Sequence, residues 1–230
     1  MLSRRPALSI VMPVLNEAQH ISASLQALQA LRKKAVEIIV ADGGSEDGTP
    51  ESARQLADCV IVAQRGRAMQ MNAGARVASG DALLFLHADT RLPDDVFSII
   101  EQALQNYAWG RFDVRIQGRS PWLPLVAAMM NLRSRLTGIA TGDQAMFVTR
   151  AAFDAVGGFP EQPLMEDIEL SRRLKRIGKP ACLRETVATS GRRWDRHGAW
   201  RTILLMWRLR FDYWRGVPAV RLVERYYPGA

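Results

Sequence analysis

Val36-Glu37-Ile38-Ile39-Val40-Ala41, followed by Asp42-Gly43-Gly44-Ser45 and then by Thr49-Pro50-Glu51, is the stretch that decides the fold. A nearly unbroken β-branched run reads as a strand covered on both faces, and the Asp-Gly-Gly-Ser segment reads as a turn. Thr49 with Pro50 and Glu51 reads as a helix start, with an N-cap residue, a proline in the first turn and an early acidic side chain. Strand, short link and helix in that order make one β-α unit, and the unit recurs on either side. Strands are expected at 8–14, 36–41, 58–63 and 82–87, and helices at Asn16–Lys33, Thr49–Ala57 and Ala68–Ala78. This alternation predicts an α/β fold with a mostly parallel sheet flanked by helices. The links are short, which predicts successive strands as neighbours.

Past Pro93-Asp94-Asp95 another helix is expected to about Tyr107, and then the regularity weakens. The expected elements are an extended stretch Phe112–Ile116, an amphipathic stretch 121–136 and a strand Gln144–Thr149. A helix Met165–Ile177 ended by Gly178, a strand Cys182–Thr189 and an amphipathic helix Trp200–Tyr213 follow. With no repeat, low-complexity tract or linker in view, the chain reads as a single domain over 1–230.

The 230 residues are 48% hydrophobic and 23% charged, which excludes a disordered chain and supplies a core that needs no staple. Cys59 and Cys182 are far apart and lack a C-x-x-C partner, so neither a disulfide framework nor a zinc site is expected. The start, Met1-Leu2-Ser3-Arg4-Arg5-Pro6, runs into the first strand too soon for a secretory signal. The longest nearly uncharged stretch, Pro121 to Met130, has about half of the ~20 apolar residues of a membrane span. A cytoplasmic chain is expected, with peripheral contact at the inner face of the membrane as the alternative. Residues 1–110 carry 10 basic and 12 acidic side chains, and 111–230 carry 21 and 11, so the halves stand at −2 and +10. The second half therefore expects an anionic counterpart.

In open α/β sheets ligands bind beyond the carboxyl ends of the strands. Here the first strand is followed by Asn16 and Glu17, the second by Asp42-Gly43-Gly44-Ser45, the third by Arg65-Gly66-Arg67 and the fourth by His87-Ala88-Asp89. Carboxylates, glycines and arginines at four successive ends describe a nucleoside-diphosphate site. Arg65, Gly66 and Arg67 precede Asn72 and Gly74 at a helix start, where backbone N–H groups and guanidinium groups suit a diphosphate. The Walker pattern and a G-x-G-x-x-G after a strand are both lacking, which excludes a P-loop and sets aside dinucleotide binding.

Pro13-Val14-Leu15-Asn16-Glu17, Asp42-Gly43-Gly44-Ser45 with Asp47-Gly48-Thr49, His87-Ala88-Asp89 and Glu166-Asp167, in that order and spacing, resemble the family 2 glycosyltransferases of the GT-A fold, over about residues 8–190. Gly66 to Gly80 and Gly142 to Glu169 further resemble a small bacterial subgroup associated with arsenosugar biosynthesis. The resemblance implies a nucleotide-binding half at about 1–110 and an acceptor-binding half at about 111–230. It implies transfer of a sugar from a nucleotide-diphosphate donor, a UDP-sugar, to an acceptor hydroxyl with inversion. Pro13, Asn16, Glu17, Asp42 and Gly43 would line the nucleoside pocket, and Gly66, Arg67 and Asn72 would meet the diphosphate. His87-Ala88-Asp89 stands at the family's D-x-D with His87 in place of the first Asp. Asp89 would hold Mn²⁺ or Mg²⁺, and His87 would touch ribose or pack. His197 is a second candidate metal ligand, and Arg193, within Arg192-Arg193-Trp194, joins the donor set. Asp167 would be the general base and Glu166 would orient it, while Asp143 and Gln144 would contact sugar or acceptor.

Several of these features have plainer explanations. Asp42-Gly43-Gly44-Ser45 suits a tight turn, and acidic residues at 166 and 167 suit a helix start. Trp122–Leu136 and Trp200–Trp214 mix Trp, Met and Leu with Arg. Core or interface packing, a dimer face included, is the expected role, and a helix at an anionic membrane presenting a lipid-linked acceptor is the competing one. A nucleotidyltransferase and a non-catalytic basic binding protein for a lipid surface or nucleic acid are the alternative functions. The first lacks its Gly-rich N-terminal loop, and no nucleic-acid-binding signature supports that partner.

Overall fold

A computed structural model describes residues 7–226, apart from the His197 side chain. Its eight strands are β1 (Leu8–Val14), β2 (Val36–Asp42), β3 (Cys59–Val62), β4 (Ala82–Phe85), β5 (Thr90–Arg91), β6 (Trp109–Gln117), β7 (Phe147–Thr149) and β8 (Ala181–Ser190). They form one sheet in the order β3-β2-β1-β4-β7-β6-β8-β5. The helices are α1 (Ala18–Ala27), α2 (Gln29–Arg32), α3 (Thr49–Arg54), α4 (Arg67–Val77), α5 (Val96–Leu104), α6 (Leu123–Thr137), α7 (Arg150–Ala155), α8 (Glu166–Leu174), α9 (Arg192–His197), α10 (Ala199–Trp214) and α11 (Ala219–Tyr226).

β1 is central and parallel to both β2 and β4, and β2 is parallel to β3. Ile10, Met12 and Val14 point into one core with Ile21 and Leu25 of α1, and Val11 points into the other with Met71 and Ala75 of α4. Both faces are covered, which is why β1 and β2 read as continuous apolar runs. A Cβ at Gly74 would come within 2.4 Å of Val11 Cγ1. That glycine serves the close approach of α4 to β1 and does not serve a diphosphate.

Successive strands are not all neighbours. The chain steps outward from β1 to β2 and β3, then crosses to the far side of β1 to lay down β4. The reversal makes a switch point between β1 and β4, the place where such sheets leave a crevice. The remaining strands are mixed: β7 is antiparallel to β4 and β6, β6 is parallel to β8, and β5 closes the edge antiparallel to β8.

The expected helix Asn16–Lys33 is two helices. Asn16 has a left-handed φ of 53°, so helix begins only at Ala18, and at the joint Gln29 Nε2 donates to Leu25 O at 2.9 Å. The stretch expected at Phe112–Ile116 extends to nine residues because β8 pairs along it from Gly110 to Gln117, with an irregularity between Arg111 and Asp113. Of the strand expected at Gln144–Thr149 only the end is a strand. Gly142–Gln144 form a 3₁₀ turn, closed by reciprocal hydrogen bonds between Thr141 and Gln144. β5, α7, α9 and α11 were not expected. A small third core of Leu164, Met165, Ile168, Leu209 and Leu222 ties α8 to α10 and α11.

Candidate active site

A cleft of about 1610 Å³ opens at the switch point. β1 delivers Pro13 and Glu17 to it, β4 delivers His87 and Asp89, and the start of α4 delivers Gly66 and Arg67. The second half supplies Asp143 from the 3₁₀ turn, Glu166 and Asp167 from the first turn of α8, and Arg193 from α9. Ten of the residues singled out in the sequence thus line one cavity, although they come from six separate segments.

The two acidic ends of the cleft are built differently. At the β1–β4 end, Arg192 Nη2 donates to Asp89 Oδ2 at 3.3 Å and to Glu17 Oε1 at 3.5 Å. One guanidinium therefore spans two strand ends. At the α8 end, Asp167 Oδ2 accepts from the Gly142 N–H at 2.9 Å and Oδ1 from the Ile168 N–H at 2.7 Å, so two backbone donors fix the carboxylate. His87 Nδ1 lies 3.5 Å from Asp143 Oδ1 and connects the ends. A Cβ on Gly142 would meet the His87 ring at 2.6 Å. The turn thus has its glycine where the imidazole lies against it.

Burial and charge set the protonation of these groups. Burial, then the charge of Asp167, pushes Glu166 up to about 7 from its ordinary 4.5. Burial also raises Asp167, against the pull of its two backbone N–H donors and of Arg67. Asp143 is recessed in the cleft, with half of its side chain open to it. Burial there works to raise the carboxyl, but the hydrogen bond and charge of His87, with Arg67 and Arg193, outweigh it and leave the group lowered.

Five expected donor residues are not in the cleft wall and make structural contacts. Asp42 is 1% exposed and accepts from the N–H groups of Gly44 and Ser45 and from the Ser45 hydroxyl, which hold its carboxylate in the turn. Asn16 bridges two loops, its N–H donating to Ser45 Oγ and its Oδ1 accepting from Glu46 N–H. Gly43 makes room for Gln70, whose Nε2 donates to Val14 O and Ala41 O and ties the ends of β1 and β2. Asn72 both donates to and accepts from the Phe159 backbone, fastening α4 to the loop after α7. Gln144 is fully buried and closes its own turn. His197 ends α9, and its side chain lies outside the described residues.

Two cleft residues escaped the sequence reading. Arg192 directly follows the β8 end, so the strand-end rule that found His87 and Asp89 would have found it too. Arg133 of α6 lines the cleft with Nε and Nη2 buried and without a hydrogen-bond partner among the described residues, and burial lowers its pKa. Its signal was a cation three residues past the apolar run Leu125–Met130 of the same helix. Among the described residues no group of three or more His, Cys, Asp or Glu is placed to hold a metal ion by itself. A divalent ion here would rest on Asp89 and take further oxygen ligands from a bound diphosphate, a donor set that suits Mg²⁺ or Mn²⁺.

Comparison with known proteins agrees with this architecture. Residues 9–155 match the model of Glycosyl transferase family 2. The succinoglycan biosynthesis protein ExoA of Rhizobium meliloti is 34% identical over 193 residues, 74% of this chain and 58% of that protein. Glycosyltransferase AglE of Haloferax volcanii is 37% identical over 98 residues, 39% of this chain and 32% of that protein. The chain thus spans a third to three-fifths of the length of these relatives. The mannosyltransferase PcManGT of Pyrobaculum calidifontis, solved with GDP-Man and Mn²⁺, superposes with a TM-score of 0.66 at 22% identity, over 91% of this chain and 62% of that one. Glucosyl-3-phosphoglycerate synthase of Mycobacterium tuberculosis, solved with Mn²⁺, UDP and glucosyl-3-phosphoglycerate, gives 0.57 at 22% identity, over 81% and 70%. These two likenesses show the GT-A fold. With the family match covering more than half of its residues, the chain belongs to glycosyl transferase family 2.

Proposed function

We propose that the protein transfers a sugar from a nucleotide-diphosphate donor, a UDP-sugar, to an acceptor hydroxyl with inversion at the anomeric carbon. The observation that carries this reading is the two-ended cleft, in which Asp89 and Glu17 bridged by Arg192 lie at one end and Asp167, fixed by two backbone N–H groups, lies at the other. The donor's diphosphate belongs at the first end, beside Arg67, Arg192 and Arg193, whose positive charge meets the charge that gathers on the departing nucleoside diphosphate. The acceptor hydroxyl belongs at the second. There it gives its proton to Asp167 as its oxygen forms the new bond to the anomeric carbon and the bond to the diphosphate breaks.

The residues support a divalent ion on Asp89, and the solved structures of PcManGT and of the mycobacterial synthase each contain Mn²⁺. Such an ion supplies charge neutralisation to the diphosphate. His87, packed on Gly142 beside Asp143, positions the turn that holds Asp167. The cleft wall also carries apolar side chains, Val126 and Met130 of α6 and Ile203 and Met206 of α10. That lining supports an acceptor with an apolar portion, a lipid-linked alcohol ahead of a small sugar.

Calorimetry of UDP binding with and without Mn²⁺, in the wild type and Asp89→Ala, tests the donor site. Metal-enhanced binding that the variant loses is the expected result. Folded wild-type protein that binds neither UDP nor another nucleoside diphosphate under either condition would refute the transferase reading.

A further inference from the structure

The helix α10 is apolar on two opposite sides. One side is buried, with Thr202 and Leu209 closed off and Leu205, Met206 and Tyr213 packed in the third core. The other side carries Trp200, Leu204, Trp207, Phe211 and Trp214, spaced three or four residues apart, with Trp207 65% and Trp214 72% exposed. An apolar row at that spacing is one face of a helix, and a helix apolar on both faces is one that something covers on both. A parallel row stands on α6 and its N-terminus, where Trp122, Leu125, Met129, Leu132 and Leu136 are exposed. Trp122 and Trp200 join the rows, their ring centroids 4.9 Å apart. Of the core or interface packing expected of these stretches from sequence, core packing therefore fails for their tryptophans.

Charge identifies what covers this surface. Arg201, Arg208 and Arg215 recur every seven residues along α10, so they form an exposed stripe next to the Trp row. Tryptophan rows edged by arginine suit a headgroup layer, where indole rings sit at the interface and guanidinium groups meet lipid phosphates. Residues 111–230, which hold both helices, carry 21 basic against 11 acidic side chains, and an anionic sheet of headgroups is their complement. A second copy is the poorer occupant. An antiparallel two-fold contact through α10 would bring one arginine stripe against another. The surface is also continuous with the functional cleft, since Trp122, Leu125 and Met129 of one row and Trp200 and Trp207 of the other line its mouth.

We infer that the exposed rows of α6 and α10 dock the protein onto the surface of an anionic lipid bilayer, with the mouth of the cleft at the headgroup layer. The inference does not depend on glycosyl transfer. Flotation of the full chain with vesicles of phosphatidylcholine, alone or mixed with phosphatidylglycerol, tests it. Binding to the mixed vesicles and little to the neutral ones is expected. Arg201→Gln with Arg208→Gln should weaken binding roughly 25-fold, at about fivefold per arginine. Leu204→Ser with Trp214→Ser, both at exposed positions outside the cleft wall, should weaken it about tenfold or more while circular dichroism stays unchanged.

Three results overturn the inference. Wild type that ignores both kinds of vesicle is one. Binding indifferent to the apolar pair is another, because it reduces the contact to stray charge. The third is a concentration-dependent dimer in sedimentation velocity that the apolar pair dissociates, which assigns the face to a second copy. UDP calorimetry on the same preparations keeps the two readings apart: nucleotide binding without flotation sinks the docking alone, and flotation without nucleotide binding sinks the transferase alone.

Discussion

Glu166→Gln removes a buried titration while keeping the size and shape of the side chain. Glu166 is 5% exposed in the first turn of α8, beside Asp167, and burial followed by the charge of that neighbour raises its carboxyl from 4.5 to about 7. Between those two values the folded chain keeps a proton that the unfolded chain has already released. Stability therefore falls as pH rises across this window. The contribution is fully present below about pH 4.5 and is lost as pH passes about 7. At about 1.36 kcal/mol per pH unit, the displacement of about 2.5 units costs the wild type about 3 kcal/mol by the alkaline side of the window. The glutamine variant does not titrate and avoids that loss. Urea unfolding of both proteins at several pH values, from about 5 to about 8, gives the comparison directly. The difference between the two stability curves should tilt toward the variant as pH rises, by about 3 kcal/mol in total. Parallel curves would refute the reasoning, because they would mean that Glu166 ionises at the same pH in the folded and unfolded chains.

Asp167→Asn, which keeps the side chain's shape but cannot take a proton, should lower kcat by about 10²- to 10⁴-fold while UDP binding by calorimetry stays intact. Loss of both together would count against the base assignment. In Gly142→Ala the new methyl group must displace the His87 ring, 2.6 Å away, and with it the turn whose N–H holds Asp167. A fall of about 100-fold in kcat/KM with an unchanged circular dichroism spectrum is expected, and near-normal turnover would show that His87 moves freely. Arg111 is fully buried and paired with Asp113 and with Ser134 Oγ, so Arg111→Ala should cost about 3 kcal/mol in urea unfolding. A change below about 0.5 kcal/mol would mean that the pair adds nothing net.

The alternation of apolar runs with helix-period segments was legible because it is local. Leu8–Val14 and Val36–Asp42 announce strands through side-chain type alone, and Thr49-Pro50-Glu51 announces a helix start, although Gly48 and not Thr49 takes the N-cap position because its left-handed φ of 85° suits glycine. Glu17, Gly66, Arg67, His87 and Asp89 meet in the cleft because the strand-end rule needs only the order of elements, which periodicity supplies, whereas Pro13, Asp143, Glu166, Asp167 and Arg193 came from the family resemblance. Some of the expected donor residues outside the cleft wall are held by hydrogen bonds closed over long separations. Asn72 looked like a phosphate ligand at a helix start, but its partner is Phe159, 87 residues on. Asp42 and Gln144 are different: their partners are two or three residues away, in local turns that are not part of the cleft wall.

By itself the sequence determined the β-α units, the acidic and basic strand ends and the excess positive charge of the second half, since composition and short-range periodicity are properties of neighbours in the chain. Only the tertiary structure decided that β4 crosses to the far side of β1, that Arg192 reaches Asp89 across 103 residues and that Gly142 ties His87 to Asp167. It also decided that the tryptophans of α10 face outward. Which face of an amphipathic helix is buried depends on how many layers pack around it. That number is set by contacts between segments distant in sequence, which no local pattern encodes.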